Sequence, residues 1–177
     1  MGLLAEGDRR DTVIAWTFVI VQVALLAAIL LLPTGDAWRA PIGLERSARG
    51  LQGIGLVVLL AGVVNLGRSL TPMPIPVPHG RLRSDGLYRF VRHPIYSGVI
   101  ALTVGAAIPS GSVPVAVSTV ALAGWFTMKA RWEETKLRER YPEYAAYAAR
   151  TPRFVPFWPT LAGRSEEPHT HRPALPH

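Results

Sequence analysis

Residues 12–32 read TVIAWTFVIVQVALLAAILLL. The run holds 21 residues, no charge and one polar amide, Gln22. At about 1.5 Å of rise per helical residue it crosses a hydrocarbon core of about 30 Å. Arg9 and Arg10 precede it, as basic residues precede a signal peptide. The run is longer than the usual apolar stretch of such a peptide, about 7–15 residues, and no small-x-small cleavage site follows. Pro33-Thr34-Gly35-Asp36 reads as a helix stop at an interface. A retained transmembrane helix is the reading that sets the fold class.

Three further apolar runs follow. Leu51–Leu66 is the second span, continuing to Leu70, and carries Gly53, Gly55 and Gly62. Small residues in lipid let helices approach closely, so these glycines read as packing positions and not as a nucleotide-binding turn. Ile95–Ile108 and Val113–Met128 are the third and fourth runs, joined by the turn residues Pro109-Ser110-Gly111-Ser112. Both are short for a full crossing and imply tilt or a locally thin bilayer. A gap for lateral entry between the second and third helices, near Gly62 and Gly98, is expected over tight packing of the same small residues, because a hydrophobic ligand would otherwise have to leave the membrane, at about 0.8 kcal/mol per CH₂.

Composition agrees with four spans. Apolar residues make up 49% of the 177 and charged residues 18%, against about 25% charged in a soluble domain. Such a chain is too apolar for disorder. Its basic residues flank apolar runs instead of forming one soluble face, which argues against a nucleic-acid binder. The absence of cysteine excludes disulfides, thiolate metal sites and a cysteine nucleophile. With four spans, 16 of the 19 Lys and Arg fall on the side holding both termini, and only Arg39, Arg46 and Arg49 on the other. Positive charge accumulates on the cytoplasmic side, so both termini are expected there, in the cell (inner) membrane.

After Met128 the chain turns charged and aromatic. Helical spacing runs to Tyr141-Pro142, and a short helix follows over Glu143–Arg150. Trp132, Tyr141, Tyr144, Tyr147, Phe154, Phe157 and Trp158 suit the membrane interface. Residues 1–163 read as one domain. Residues 164–177 read as a disordered tail whose three histidines are solvated, so no metal site is expected.

Polar features at the cytoplasmic face carry the candidate chemistry. Asp85–Gly98 (DGLYRFVRHPIYSG) contains a turn, and Pro94 suits the first turn of the third helix. His93 then sits at a helix N-terminus, where partial positive charge favours an anion; Arg89 and Arg92 on lipid headgroups is the plainer reading. Glu133 and Glu134 are adjacent carboxylates whose side chains point about 100° apart, so one at most faces a pocket squarely. Simple helical pairing, Glu133 with Lys129 and Lys136 or Glu134 with Arg138, accounts for them equally. Tyr141 to Tyr147 and Arg150 to Pro156 offer rings and guanidinium groups able to hold a purine or a sulfonium, or simply to anchor at the surface.

Taken together, GLYRFVRHPIYSG, an apolar hairpin and EETKLRERYPEYAAYAARTPRFVP resemble the isoprenylcysteine carboxyl methyltransferase family and the related phospholipid methyltransferases. The match covers residues 81–156. The resemblance implies an all-α polytopic membrane enzyme with about four transmembrane helices and a cytoplasmic C-terminal helical segment. It implies S-adenosylmethionine as cofactor and a hydrophobic small-molecule or lipid-like acceptor entering from the bilayer. Carried onto this sequence, Tyr88, His93, Pro94, Tyr96 and Glu133 line the cofactor site. Glu134 neighbours them in the paired-Glu motif, and Leu82 and Arg83 fall where the backbone before the motif touches the cofactor. Candidates for direct catalysis are Glu133, Glu134 and Lys129. The eukaryotic carboxyl methyltransferases place an arginine where this chain has Lys129, which keeps the charge but loses the bidentate fork. A haem-linked membrane protein using His79 and His93, and a non-catalytic scaffold, are the rival classes.

Overall fold

The computed structural model describes residues 2–67 and 82–156, with side chains from residue 9 onward. It is all-helical among these residues: α1 (Gly2–Leu31), α2 (Ile42–Leu66), α3 (Pro94–Ser110), α4 (Val113–Arg140) and α5 (Tyr144–Arg150), with one 3-10 turn over Gly86–Arg89. Three helices are long and apolar enough to cross a membrane, namely Arg9–Leu31 within α1, α2 and α4. The third expected span, α3, has 17 residues, a rise of about 26 Å against a core of about 30 Å. α4 joins the fourth apolar run to the charged stretch without a break. The proposed continuation to Leu70, together with Arg68, His79, Arg81, Phe157, Trp158 and the 164–177 tail, lies outside the described residues.

Burial is inverted relative to a water-soluble protein. Leu31 is 81% exposed and Val64 78%, whereas Lys129 and Glu134 are 2% and 1% exposed. Apolar side chains on the outside and charged ones within suit lipid as the solvent. The protein is an integral membrane protein.

α2 packs chiefly on α3, through Ala48, Gly55 and Gly62 on one helix and Gly98 and Gly105 on the other. A methyl placed on Gly98 would lie 2.7 Å from the Gly55 carbonyl and from the Leu59 nitrogen; one on Gly55 would lie 2.8 Å from the Gly98 carbonyl. The backbones therefore touch. At Gly62 the side chain of Ile95 stands 3.0 Å from an added methyl. The gap expected near Gly62 and Gly98 is closed, because glycine there permits contact and leaves no channel.

The far end of the hairpin is capped by loop and turn. Gly111 adopts a left-handed conformation (φ 60°) that ends α3. The carbonyls freed at that helix end accept from the Trp38 indole (to Ile108, 2.8 Å) and from the Gly35 amide (to Ser110, 2.8 Å). α1 is tied to α4 at several depths. The Trp125 indole donates to the Phe18 carbonyl at 3.1 Å, Lys129 Nζ to Gln22 Oε1 at 2.7 Å, and Lys136 pairs with Asp11 at 2.8 Å.

Candidate functional site

Polar groups gather where α3 begins. Pro94 occupies the first turn of α3 and is fully buried, and His93 is its N-cap, although its side chain makes no capping bond. Instead the imidazole turns toward α4. Nε2 lies 3.1 Å from Glu134 Oε1 and Nδ1 lies 3.7 Å from Glu133 Oε2. The ring stacks parallel to Tyr96 at 5.2 Å, and Tyr96 stacks in turn on Phe126 at 4.7 Å.

Glu134 is the centre of an ionic knot. Arg153 grips it with two parallel bonds, Nε to Oε1 and Nη2 to Oε2, each 2.9 Å. Arg92 Nε donates to Oε1 at 3.2 Å. The remaining reach of Arg92 goes to the carbonyls of Ala148 (2.6 Å) and Thr151 (3.0 Å). Two arginines and a histidine thus surround one buried carboxylate, and the bidentate fork is the stronger geometry for such a pair. The bond to Glu134 holds the Arg153 guanidinium even more firmly protonated than usual.

The same contacts clasp the C-terminal segment over the start of α3. The amides of Arg92 and His93 donate to the carbonyls of Pro152 and Arg153, and Ser97 Oγ donates to the Phe154 carbonyl at 2.7 Å. Below the clasp, α5 buries Tyr144, Tyr147 and Ala148 against Leu82, Leu137 and Tyr141. The Tyr147 hydroxyl donates to the Tyr88 carbonyl. Burial, and then the negative charge of Glu133, push the Tyr88 phenol above its ordinary range.

Glu133 points differently from its neighbour. Its side chain is 27% exposed, and it accepts the Tyr96 hydroxyl at 3.0 Å. The expected split between the two carboxylates is present, and the pairing partners are long-range: Glu134 binds Arg92, His93 and Arg153, not Arg138. Lys129 is buried beside Gln22, its ammonium 5.4 Å from the Tyr96 ring centre. Tyr88, His93, Pro94, Tyr96, Glu133 and Glu134 therefore converge, and Leu82 reaches them through α5. Arg83 is half exposed and paired loosely with Asp85 at 3.7 Å, near enough to Tyr88 for its charge to act on that phenol. Tyr144 and Tyr147 are core residues, not interfacial ones, because α5 folds back under the clasp. Arg92 likewise leaves the headgroup position for the knot. Of the two histidines in the haem reading, His93 is engaged through Nε2 by Glu134, and His79 lies outside the described residues.

Sequence reasoning did not join Arg92, Glu134 and Arg153 into one set, nor Gln22 with Lys129. The available signal was a polar residue inside an apolar span, which marks function or a buried partner.

The cofactor expected from the motifs fits these groups. Glu133 offers a partly accessible carboxylate for a cationic end.

The family described as phospholipid methyltransferase matches residues 47–144, more than half of the chain. A curated relative, protein-S-isoprenylcysteine O-methyltransferase B of Arabidopsis thaliana, is 30% identical over 110 residues, which is 59% of this chain and 55% of the relative. The solved structure of the eukaryotic intramembrane Ras methyltransferase ICMT (isoprenylcysteine carboxyl methyltransferase) aligns with a TM-score of 0.58 at 17% identity. That alignment covers 86% of this chain and 53% of the solved one, a likeness of fold. The chain spans about half the length of both relatives.

Proposed function

The chain belongs to the phospholipid methyltransferase family, and from that membership we propose that it moves a methyl group from S-adenosylmethionine to a hydrophobic or membrane-resident acceptor. The observation that carries the reading is the convergence of Glu133, His93, Tyr96 and Tyr88 beneath a clasped C-terminal segment at one end of apolar helices. When bound, the cofactor supplies an electrophilic methyl on a sulfonium, already a good leaving group. The protein's part is then alignment and exclusion of water. Glu133 is placed to bind the cofactor's ammonium or a hydroxyl, and Tyr96 orients Glu133 through its 3.0 Å bond. The stacked rings of His93, Tyr96 and Phe126 wall the site. Arg92 and Arg153 act through Glu134, which fixes His93 and holds the clasp shut. Lys129 stands nearby as the cation for an anionic acceptor. A carboxylate acceptor needs no base, whereas an amine must lose a proton, for which Glu133 is the accessible carboxylate.

The test is calorimetric binding of S-adenosylmethionine to detergent-solubilised protein, followed by labelled methyl transfer across lipid extracts. Binding together with label in an apolar product supports the reading; no binding rejects it. The 16 to 3 charge split further supports a cytoplasmic location for both termini. Reporter fusions at Arg164 and within residues 34–49 should report opposite sides, and the same side from both would overturn the four-span topology.

A further inference from the structure

Gln22 is the one amide in an uncharged run of 21 residues, and Lys129 of α4 is 2% exposed. Neither is needed to span a membrane, and polar or ionisable groups at such depth are costly unless paired. These two meet: Lys129 Nζ donates to Gln22 Oε1 at 2.7 Å. Thr17 of the same run instead turns its hydroxyl back on its own helix, to the Val13 carbonyl.

The register of α1 does not depend on this bond. The Trp125 indole on the Phe18 carbonyl and Lys136 on Asp11 already fix α1 against α4, on either side of Lys129. What the amide sets is the direction of the ammonium. Leu122, Phe126, Lys129 and Glu133 follow one another at helical spacing on one face of α4. Lys129 thus stands one turn, about 6 Å, nearer the apolar end of the helix than Glu133. Both meet Tyr96, whose hydroxyl donates to Glu133 at 3.0 Å and whose ring centre lies 5.4 Å from the ammonium. The Gln22 carbonyl from α1 and the Tyr96 ring from α3 together hold the cation beside the Glu133–Tyr96 wall. A neutral amide orients the ammonium without neutralising it, as a carboxylate at position 22 would.

We propose that Gln22 is a positioning residue of the acceptor site: it holds the Lys129 ammonium beside Tyr96 to receive the anionic head group of the methyl acceptor, a carboxylate or a phosphate. The inference rests on the methyltransferase reading and extends it to α1, outside the residues 47–144 that match the family.

Gln22→Glu and Gln22→Leu test it, with labelled S-adenosylmethionine and micelles carrying either S-farnesyl-N-acetylcysteine, a carboxylate acceptor, or phosphatidylethanolamine, an amine acceptor bearing a phosphate. Gln22→Glu keeps an oxygen on the ammonium, so it should melt at or above the wild-type temperature and bind the cofactor with wild-type affinity. Its KM for the acceptor that wild type methylates should still rise about tenfold or more, with kcat little changed, because the new carboxylate competes for Lys129. Gln22→Leu should raise the same KM through loss of orientation. A rise with the first acceptor assigns a carboxylate head, with the second a phosphate. Wild-type KM in Gln22→Glu overturns the inference, as does a rise matched by an equal loss of cofactor affinity, the mark of general disruption. Cofactor binding by wild type without methylation of either acceptor overturns it too, and leaves the cofactor reading standing. If wild type binds no cofactor, the methyltransferase reading fails and the inference with it.

Discussion

Glu134→Ala should cost about 3–5 kcal/mol of folding stability, the range for removing one member of a buried ion pair and stranding the rest. The substitution leaves Arg92 and Arg153 without their carboxylate and His93 without its Nε2 partner. It also releases the clasp, because Arg92 links that carboxylate to the carbonyls of Ala148 and Thr151. Glu133→Ala should behave in the opposite way. Its side chain is partly exposed and accepts one hydroxyl, so the variant should fold and lose about ten- to hundredfold in cofactor affinity, the worth of a hydrogen bond to a charged group. Thermal unfolding in detergent and calorimetry on the same two samples check both arms. With Glu133 carried over to the cofactor by resemblance and Glu134 on a face about 100° away, Glu134→Ala is the milder change expected for cofactor binding; its long-range partners make it the costlier one for stability.

Gly98→Ile should cost about 3 kcal/mol, the upper end for overpacking a filled interface. The added Cβ meets backbone atoms 2.7 Å away on α2, and backbone cannot rotate aside as a side chain can. Because Gly98 lies one turn beyond Pro94, separating α2 from α3 would also shift His93 and Tyr96, so cofactor binding should fall along with melting temperature. Gly53→Ala on α2 is the control. Nothing lies within 4 Å of its added methyl, and alanine is the better helix former, so stability should hold or rise slightly. Equal loss in both variants would show that the α2–α3 seam is not the close contact.

The helices and the motif residues were legible in the sequence because their determinants are local. An uncharged run of 21 residues has one stable state in lipid, a proline at position 94 starts a helix, and a glycine at position 111 ends one. The order of Arg-His-Pro, Glu-Glu and the tyrosines pointed to the family before any contact was known. What tertiary structure alone decided was every pairing across sequence distance. Adjacent helical residues point about 100° apart, so the sequence could say that Glu133 and Glu134 differ, but not which one is buried. That depends on Arg92 and Arg153 arriving from two other segments. Tyr144 and Tyr147 look equally at home at a membrane surface until α5 folds beneath the clasp. The glycines of α2 and α3 were compatible with a channel or a contact, and the choice follows from a backbone approach that no local signal encodes.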